Sequence, residues 1–294
     1  MTEEILSACI GCSSDGLVRF SGENKTSLCD RCGLLFDNPR PSASAIQDFY
    51  SRESQYDGWL AELSERDRLW RRRLAKMLGA NPKRGALLDV GAGIGQFLNH
   101  ARSVFENVTG TEVSSSAIEI AYERYGLNLV EGNLEDISSL NKKFSVVTAF
   151  HVLEHVPFPG KFLSRCFNLL EEGGLLVLAV PNDVHTVGSR LRRLFRLFRI
   201  GKYARYTRLG LPPLILDGSI HEIHLSHFTK KSLTSLVSDH GFLVEQTSLD
   251  PFFVARGWKL FRFQLLYRIF SWIHSITGVN LYGTLWVVAR KPAT

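Results

Sequence analysis

From residue 85 onward the apolar positions fall in short blocks separated by polar, periodic stretches. Blocks at 86–90, 108–112, 128–131, 145–150, 175–180, 242–247 and 284–289 have strand length and end in turn-forming residues. Between them, 96–103, 114–125, 161–170 and 230–240 repeat their apolar positions with a helical period. Continuous apolar strands alternating with helices predict a mostly parallel sheet covered on both faces. The last strand is expected to insert antiparallel. The pattern therefore predicts an α/β three-layer sandwich with a seven-stranded sheet over 85–294.

Upstream the texture changes. Residues 42–84 read as a helical linker, with Leu60, Leu63, Leu69, Leu74 and Leu78 recurring among charges and Arg71, Arg72 and Arg73 on an expected solvated face. Residues 1–41 read as a separate small module. Two short strands, 17–20 and 25–28, flank a turn at 21–24, and Asn38-Pro39-Arg40-Pro41 makes a stiff exit.

That module holds Cys9-x2-Cys12, sixteen intervening residues, and Cys29-x2-Cys32. Two such pairs match structural zinc spacing, and a ribbon this small needs the metal for folding. Its four ligands would leave no open position for catalysis. Arg19, Lys25 and Arg31 are balanced by Asp15, Glu23 and Asp30, so a nucleic-acid surface is not expected. The fifth cysteine, Cys166, sits in an apolar helical pattern and reads as core.

The chain has 294 residues, 45% of them hydrophobic and 22% charged, as in an ordinary globular protein. Met1 to Ser7 carries acids and no long apolar run, so no secretory leader is expected, and a cytoplasmic location is. The net charge of +6 is concentrated: between Asp183 and Asp217 there are eight bases and no acid. In this insert, 184–220, Leu191, Leu194, Phe195 and Phe198 share a helical face, with Arg192, Arg193, Arg196 and Arg199 between them. A second apolar segment, 258–277, is interrupted by Lys259, Arg262 and Arg268 and should not span a bilayer. Two roles stay open. The segments could pack on each other as a lid or a homodimer surface, or 188–208 and 258–277 could contact an anionic membrane peripherally.

The chemistry concentrates in Leu87-Leu88-Asp89-Val90-Gly91-Ala92-Gly93-Ile94-Gly95, an apolar strand entering a loop with glycine at alternate positions. Such a loop lets a ligand approach the backbone. The next strand ends in Glu112, placed to accept ribose hydroxyls. The GxGxG spacing and the acid before it differ from the pyrophosphate-binding GxGxxG loop of dinucleotide enzymes.

With these motifs the chain resembles the class I S-adenosylmethionine methyltransferases, whose fold is Rossmann-like. Gly132-Asn133-Leu134-Glu135-Asp136, Phe150-His151-Val152-Leu153-Glu154-His155-Val156, the run from Leu170 to Leu175, Val180-Pro181-Asn182 and the run from His224 to Thr229 extend the likeness over about 85–250. The arrangement also resembles bacterial methyltransferases with an N-terminal zinc ribbon, several of them in sugar and surface-polysaccharide pathways. The resemblance implies S-adenosylmethionine as cofactor, held by Asp89, Gly91, Gly93 and Gly95 at its methionine part and by Glu112 at its ribose. Asn133, Leu134 and Glu135 would frame the adenine. His151 would lie near the sulfonium.

Methyl transfer to an alcohol profits from a nearby base, and histidine titrates in the right range. The candidates are His151, His155, His221, His224 and His227, with His151 and His224 leading. His151-x-x-Glu154-His155 also matches a zinc-peptidase pattern, but here the run leaves a strand instead of lying on a helix. The expected activity is methyl transfer to a small-molecule or lipid-linked acceptor, a sugar or glycan intermediate being favoured. Two alternatives are a quinone-type O-methyltransferase, which the "LEHVP" run resembles and which would place a divalent ion there, and a non-catalytic cofactor-binding protein. In a dead chain, loss of the loop glycines or of Glu112 would be expected.

Overall fold

The computed structural model describes residues 3–19, 25–50, 57–138, 140–212 and 223–293. The expected turn at 21–24 lies outside the described residues.

The seven apolar blocks form one sheet. Its strands are β6 (Ala86–Val90), β7 (Asn107–Glu112), β8 (Val130–Glu131), β9 (Phe144–Phe150), β10 (Leu170–Pro181), β12 (Leu243–Ser248) and β13 (Thr284–Arg290). Their order is β12-β13-β10-β9-β6-β7-β8. β13 is inserted antiparallel between β10 and β12, and the register from Leu175↔Arg290 to Pro181↔Thr284 is unbroken. The remaining pairings, β10 with β9, β9 with β6, β6 with β7 and β7 with β8, are parallel.

Side chains alternate across a strand, so a doubly buried sheet needs apolar residues at every position. Leu87, Val146, Leu175 and Val177 face one cluster with α3 (Leu63–Leu78), α4 (Gln96–Ala101) and α5 (Ser115–Tyr125). Leu88, Val147, Leu176 and Leu178 face the other, with α6 (Pro159–Leu169) and α8 (Lys230–Asp239). Cys166 is fully buried in that second cluster.

The N-terminal module packs on the same face. Its strands are β1 (Glu3–Glu4), β2 (Leu17–Arg19), β3 (Thr26–Cys29), β4 (Leu35–Asp37) and β5 (Arg40–Pro41). Cys9, Ile10, Leu34 and Phe36 belong to the core shared with α6 and α8. The module also borrows a strand: β11 (Ser226–His227) pairs antiparallel with β4, in a sheet ordered β11-β4-β3-β2.

Between module and sheet lie α1 (Ala43–Tyr50), α2 (Asp57–Ala61) and α3. One expectation is overturned here. Arg73 is fully buried and paired with Asp250, and Arg72 donates to the Phe253 carbonyl at 3.1 Å. Only Arg71 of the three is exposed. The arginines turn inward because the segment after β12 presents Asp250 and free carbonyls that a sequence pattern does not place.

Two more helices follow, α7 (Val187–Leu197) and α9 (Gly257–Thr277). Among the described residues, no helix is long and apolar enough to cross a membrane.

Candidate functional site

The parallel strands all end at one rim, where ligand crevices of open α/β sheets lie. The loop leaving β6 takes positive φ at Gly91 (67°) and Gly93 (53°). A Cβ on Gly91 would stand 2.5 Å from Val152, and one on Gly93 would stand 2.8 Å from Trp59, so both positions require glycine. Glu112, at the end of β7, holds this loop in place. Its Oε2 accepts from the Gly93 amide at 2.8 Å, and its Oε1 accepts from the amides of Val113 and Ser114 at 2.8 and 3.0 Å.

Over this rim opens a cavity of about 550 Å³, within the usual range for small-molecule sites. Gly91, Gly93, Glu112, Asn133, Leu134, Glu135 and His151 all line it, as does His155. Asp89 and Gly95 do not appear on the wall. Asp89 is buried and accepts from Thr148 Oγ1 at 2.6 Å; burial pushes its carboxyl up to about 7. Gly95 turns the loop into α4.

Trp59 and Lys161 also line the cavity. Neither was singled out from the sequence. Trp59 lies in a helical stretch distant from the motifs, and only folding lays it over the glycine loop.

His151 follows β9 in a left-handed conformation, φ 58°, its amide donating to the Ala179 carbonyl at 2.8 Å. The ring lies between two buried carboxylates: Nδ1 is 3.3 Å from Glu154 Oε1 and Nε2 is 3.8 Å from Asp250 Oδ2. Burial disfavours its charge, but Asp250 and Glu154 outweigh it and raise the imidazole to about 8. Asp250, also invisible to motif reading, is itself held by Arg73 Nε at 3.1 Å.

The other histidines form a second network. His155 Nδ1 meets the Ile223 carbonyl at 2.6 Å. Asp183 Oδ2 lies 3.2 Å from His224 Nδ1 and 3.4 Å from His227 Nδ1, and His227 Nε2 lies 3.2 Å from Asp37 Oδ1. His224 is therefore engaged with Asp183 and does not line the cavity. His227 is a buried bridge between the module and the body. His221 lies outside the described residues.

Glu154, His155 and His224 bring ligand atoms within 4.8 Å of one another. Glu154 is fully buried, and among the described residues neither of its oxygens receives a hydrogen bond. In the N-terminal module the four Sγ atoms also lie within 4.8 Å of one another, with Cys9–Cys32 and Cys12–Cys29 both at 3.6 Å. A tetrahedral ion with Zn–S bonds of about 2.3 Å needs Sγ atoms about 3.8 Å apart. The thiols fit that ion.

A sequence profile described as a methyltransferase domain matches residues 63–247, well over half of the chain. The chain is 33% identical over 102 residues to a ubiquinone biosynthesis O-methyltransferase of Coxiella burnetii, covering 33% of this chain and 43% of that one. It is 24% identical over 162 residues to a Mycolicibacterium smegmatis protein, covering 55% of this chain and 53% of that one. The chain thus spans about half the length of the curated relatives it matches. Magnesium protoporphyrin IX methyltransferase from Synechocystis PCC 6803, solved with S-adenosylhomocysteine, superposes with a TM-score of 0.54 at 13% identity. That match covers 85% of this chain and all of the other, and it shows a shared fold.

Proposed function

The chain belongs to the methyltransferase-domain family, and from that premise we propose that it transfers a methyl group from S-adenosylmethionine to a small-molecule or lipid-linked acceptor. The observation that carries this is the cavity walled by the glycine loop and Glu112 at the sheet's C-terminal rim.

S-adenosylmethionine, when bound, supplies a methyl group already activated by cationic sulfur. The chain has to bind, align and exclude water. Gly91 and Gly93 let the methionine part lie against the backbone. Asp89 and Gly95 support that loop from behind, Asp89 through Thr148 and Gly95 by starting α4. Glu112 is assigned the ribose, and Asn133, Leu134 and Glu135 the adenine. His151 is assigned the proton of the acceptor hydroxyl, since its ring lies on the cavity wall. His224 is assigned a supporting place, because Asp183 holds it outside that wall. Cys9, Cys12, Cys29 and Cys32 are assigned a structural zinc.

The favoured acceptor is a sugar or glycan intermediate. A second reading, quinone-type O-methylation, draws support from the Coxiella relative and from the Glu154–His155–His224 cluster, whose carboxylate and imidazole donors suit a divalent ion. A non-catalytic binding protein is disfavoured by the intact loop glycines and Glu112.

Calorimetric titration with S-adenosylmethionine, S-adenosylhomocysteine and NAD tests the reading. The first two are expected to bind and NAD is not. Glu112→Ala should weaken binding by about tenfold or more, the loss of charge-assisted hydrogen bonds. Unchanged affinity would remove the ribose assignment. Sugar nucleotides, lipid-linked glycans and quinols, each with and without Mn²⁺, then separate the acceptor classes.

A further inference from the structure

α7 is amphipathic in the wrong sense for a helix on a soluble surface. Three of its four arginines face the protein: Arg192 Nε donates to the Gly210 carbonyl at 2.7 Å, Arg193 Nε to the Leu209 carbonyl at 2.9 Å and Arg196 Nε to the Tyr206 carbonyl at 2.7 Å. Its apolar stripe, Val187, Leu191, Leu194 and Phe198, faces out, with Leu197 beside it 72% exposed. A surface helix ordinarily buries that stripe.

α9 repeats the arrangement. The helix runs for 21 residues without a single buried one. It is held on one side by Tyr267, which packs against Phe253 and Tyr282, and by Phe270 against Tyr282. On the opposite side Trp258, Phe261, Leu265, Ile269, Trp272 and Ile276 recur every three or four residues and are all exposed. Lys259, Arg262 and Arg268 flank this stripe, and no acid lies between 257 and 277.

The two helices share one corner. The Val187 amide donates to the Leu281 carbonyl at 3.2 Å, and Asn182 Nδ2 donates to the carbonyls of Asn280 and Tyr282 at 3.2 and 3.0 Å. α7 leaves the C-terminal end of β10, and α9 leads into the first residue of β13, which pairs with that same end. Both therefore lie on the rim where the cavity opens.

We propose that α7 and α9 together form a docking face for an anionic lipid bilayer surface. Tryptophan and aliphatic side chains on a basic frame match the headgroup–acyl boundary, where apolar groups insert and cations meet lipid phosphates. Exposed bases next to the stripes, Arg190, Arg199, Lys202 and Arg205 on one side and Lys259, Arg262 and Arg268 on the other, supply that frame. A second copy is a poor occupant, since it would set basic face against basic face. Nucleic acid would use the bases and leave the tryptophans and leucines exposed. The docking face stands independently of which acceptor the cavity takes, and places that cavity's rim at the membrane.

The test is cosedimentation of the full chain with phosphatidylcholine vesicles, with and without phosphatidylglycerol. Binding is expected only with the anionic lipid and should weaken as salt is raised. A variant with Leu194→Ser, Leu197→Ser, Trp258→Ser and Trp272→Ser should bind at least about tenfold more weakly. Calorimetry with S-adenosylhomocysteine, unchanged from the parent chain, shows that this variant is folded; should it not fold, Trp258→Ser and Trp272→Ser are tested singly. A parent chain that stays in the supernatant, or a variant that sediments equally well, overturns the proposal. So does a parent dimer that the variant converts to monomer without any vesicle binding.

Discussion

His227 shows what a buried histidine does when two carboxylates enclose it. Burial alone would lower its basicity, but Asp183 and Asp37 reverse the sign and raise the imidazole to about 10. Unfolded, the group returns to about 6.5. Its contribution to stability is therefore complete below that pH and is lost as pH rises through about 10. Denaturant unfolding at pH 6, 8 and 10 should show stability falling across this window. His227→Gln should cost about 2–4 kcal/mol at pH 6 and flatten the alkaline fall. A variant with the parent's pH profile would mean that the charge resides elsewhere. The same geometry explains why His227 is a strut and His151 a site residue: both rings contact two acids, but only His151 stands on the cavity wall.

Among the elements, α3 matters most to the site without touching it. Arg73 and Asp250 are both fully buried, and Asp250 is also the carboxylate facing His151 Nε2. Lys76 donates to the Leu249 carbonyl and Arg72 to that of Phe253, so the helix pins the whole segment after β12. Removing one partner of a buried pair strands the other charge, so Arg73→Met should destabilise the fold by about 3–5 kcal/mol in equilibrium unfolding. Asp250→Asn should cost a comparable amount. A loss below about 1 kcal/mol in both would show that water reaches the pair.

The whole molecule behaves as one packed body, although its sequence looks modular. β4 pairs with β11, Asp37 with His227, and the Ile10 carbonyl accepts from the Gly160 amide at 3.3 Å. Cys9, Cys29 and Cys32 sit in the core that α6 and α8 share. Stripping the proposed zinc from the four thiols should therefore loosen the sheet domain as well. Thermal unfolding with a strong chelator is expected to give one transition lowered by about 10 °C or more. Two separate transitions, the larger unshifted, would contradict this coupling.

Local pattern was sufficient for much of this protein. The four central strands, β6, β9, β10 and β13, are largely buried on both faces and were readable as apolar blocks, whereas β7, β8 and β12 are only part-buried and were placed by their alternation with helices. The expected antiparallel insertion of β13 is the one its register shows. The glycine loop was readable because its positive φ angles favour glycine, whereas the hold of Glu112 on the Gly93 amide joins positions 19 apart. Other features depended on residues far apart in the chain. Arg73 reads as one of three surface arginines until Asp250, 177 positions later, is folded against it. Trp59 acquires its place from the loop it covers, and the module from the strand it borrows. The stripe of α7 was visible as periodicity and α9 only as an apolar segment, and which side of each faced solvent was decided by tertiary packing. A helical period records that two faces differ; only the neighbours choose which one is buried.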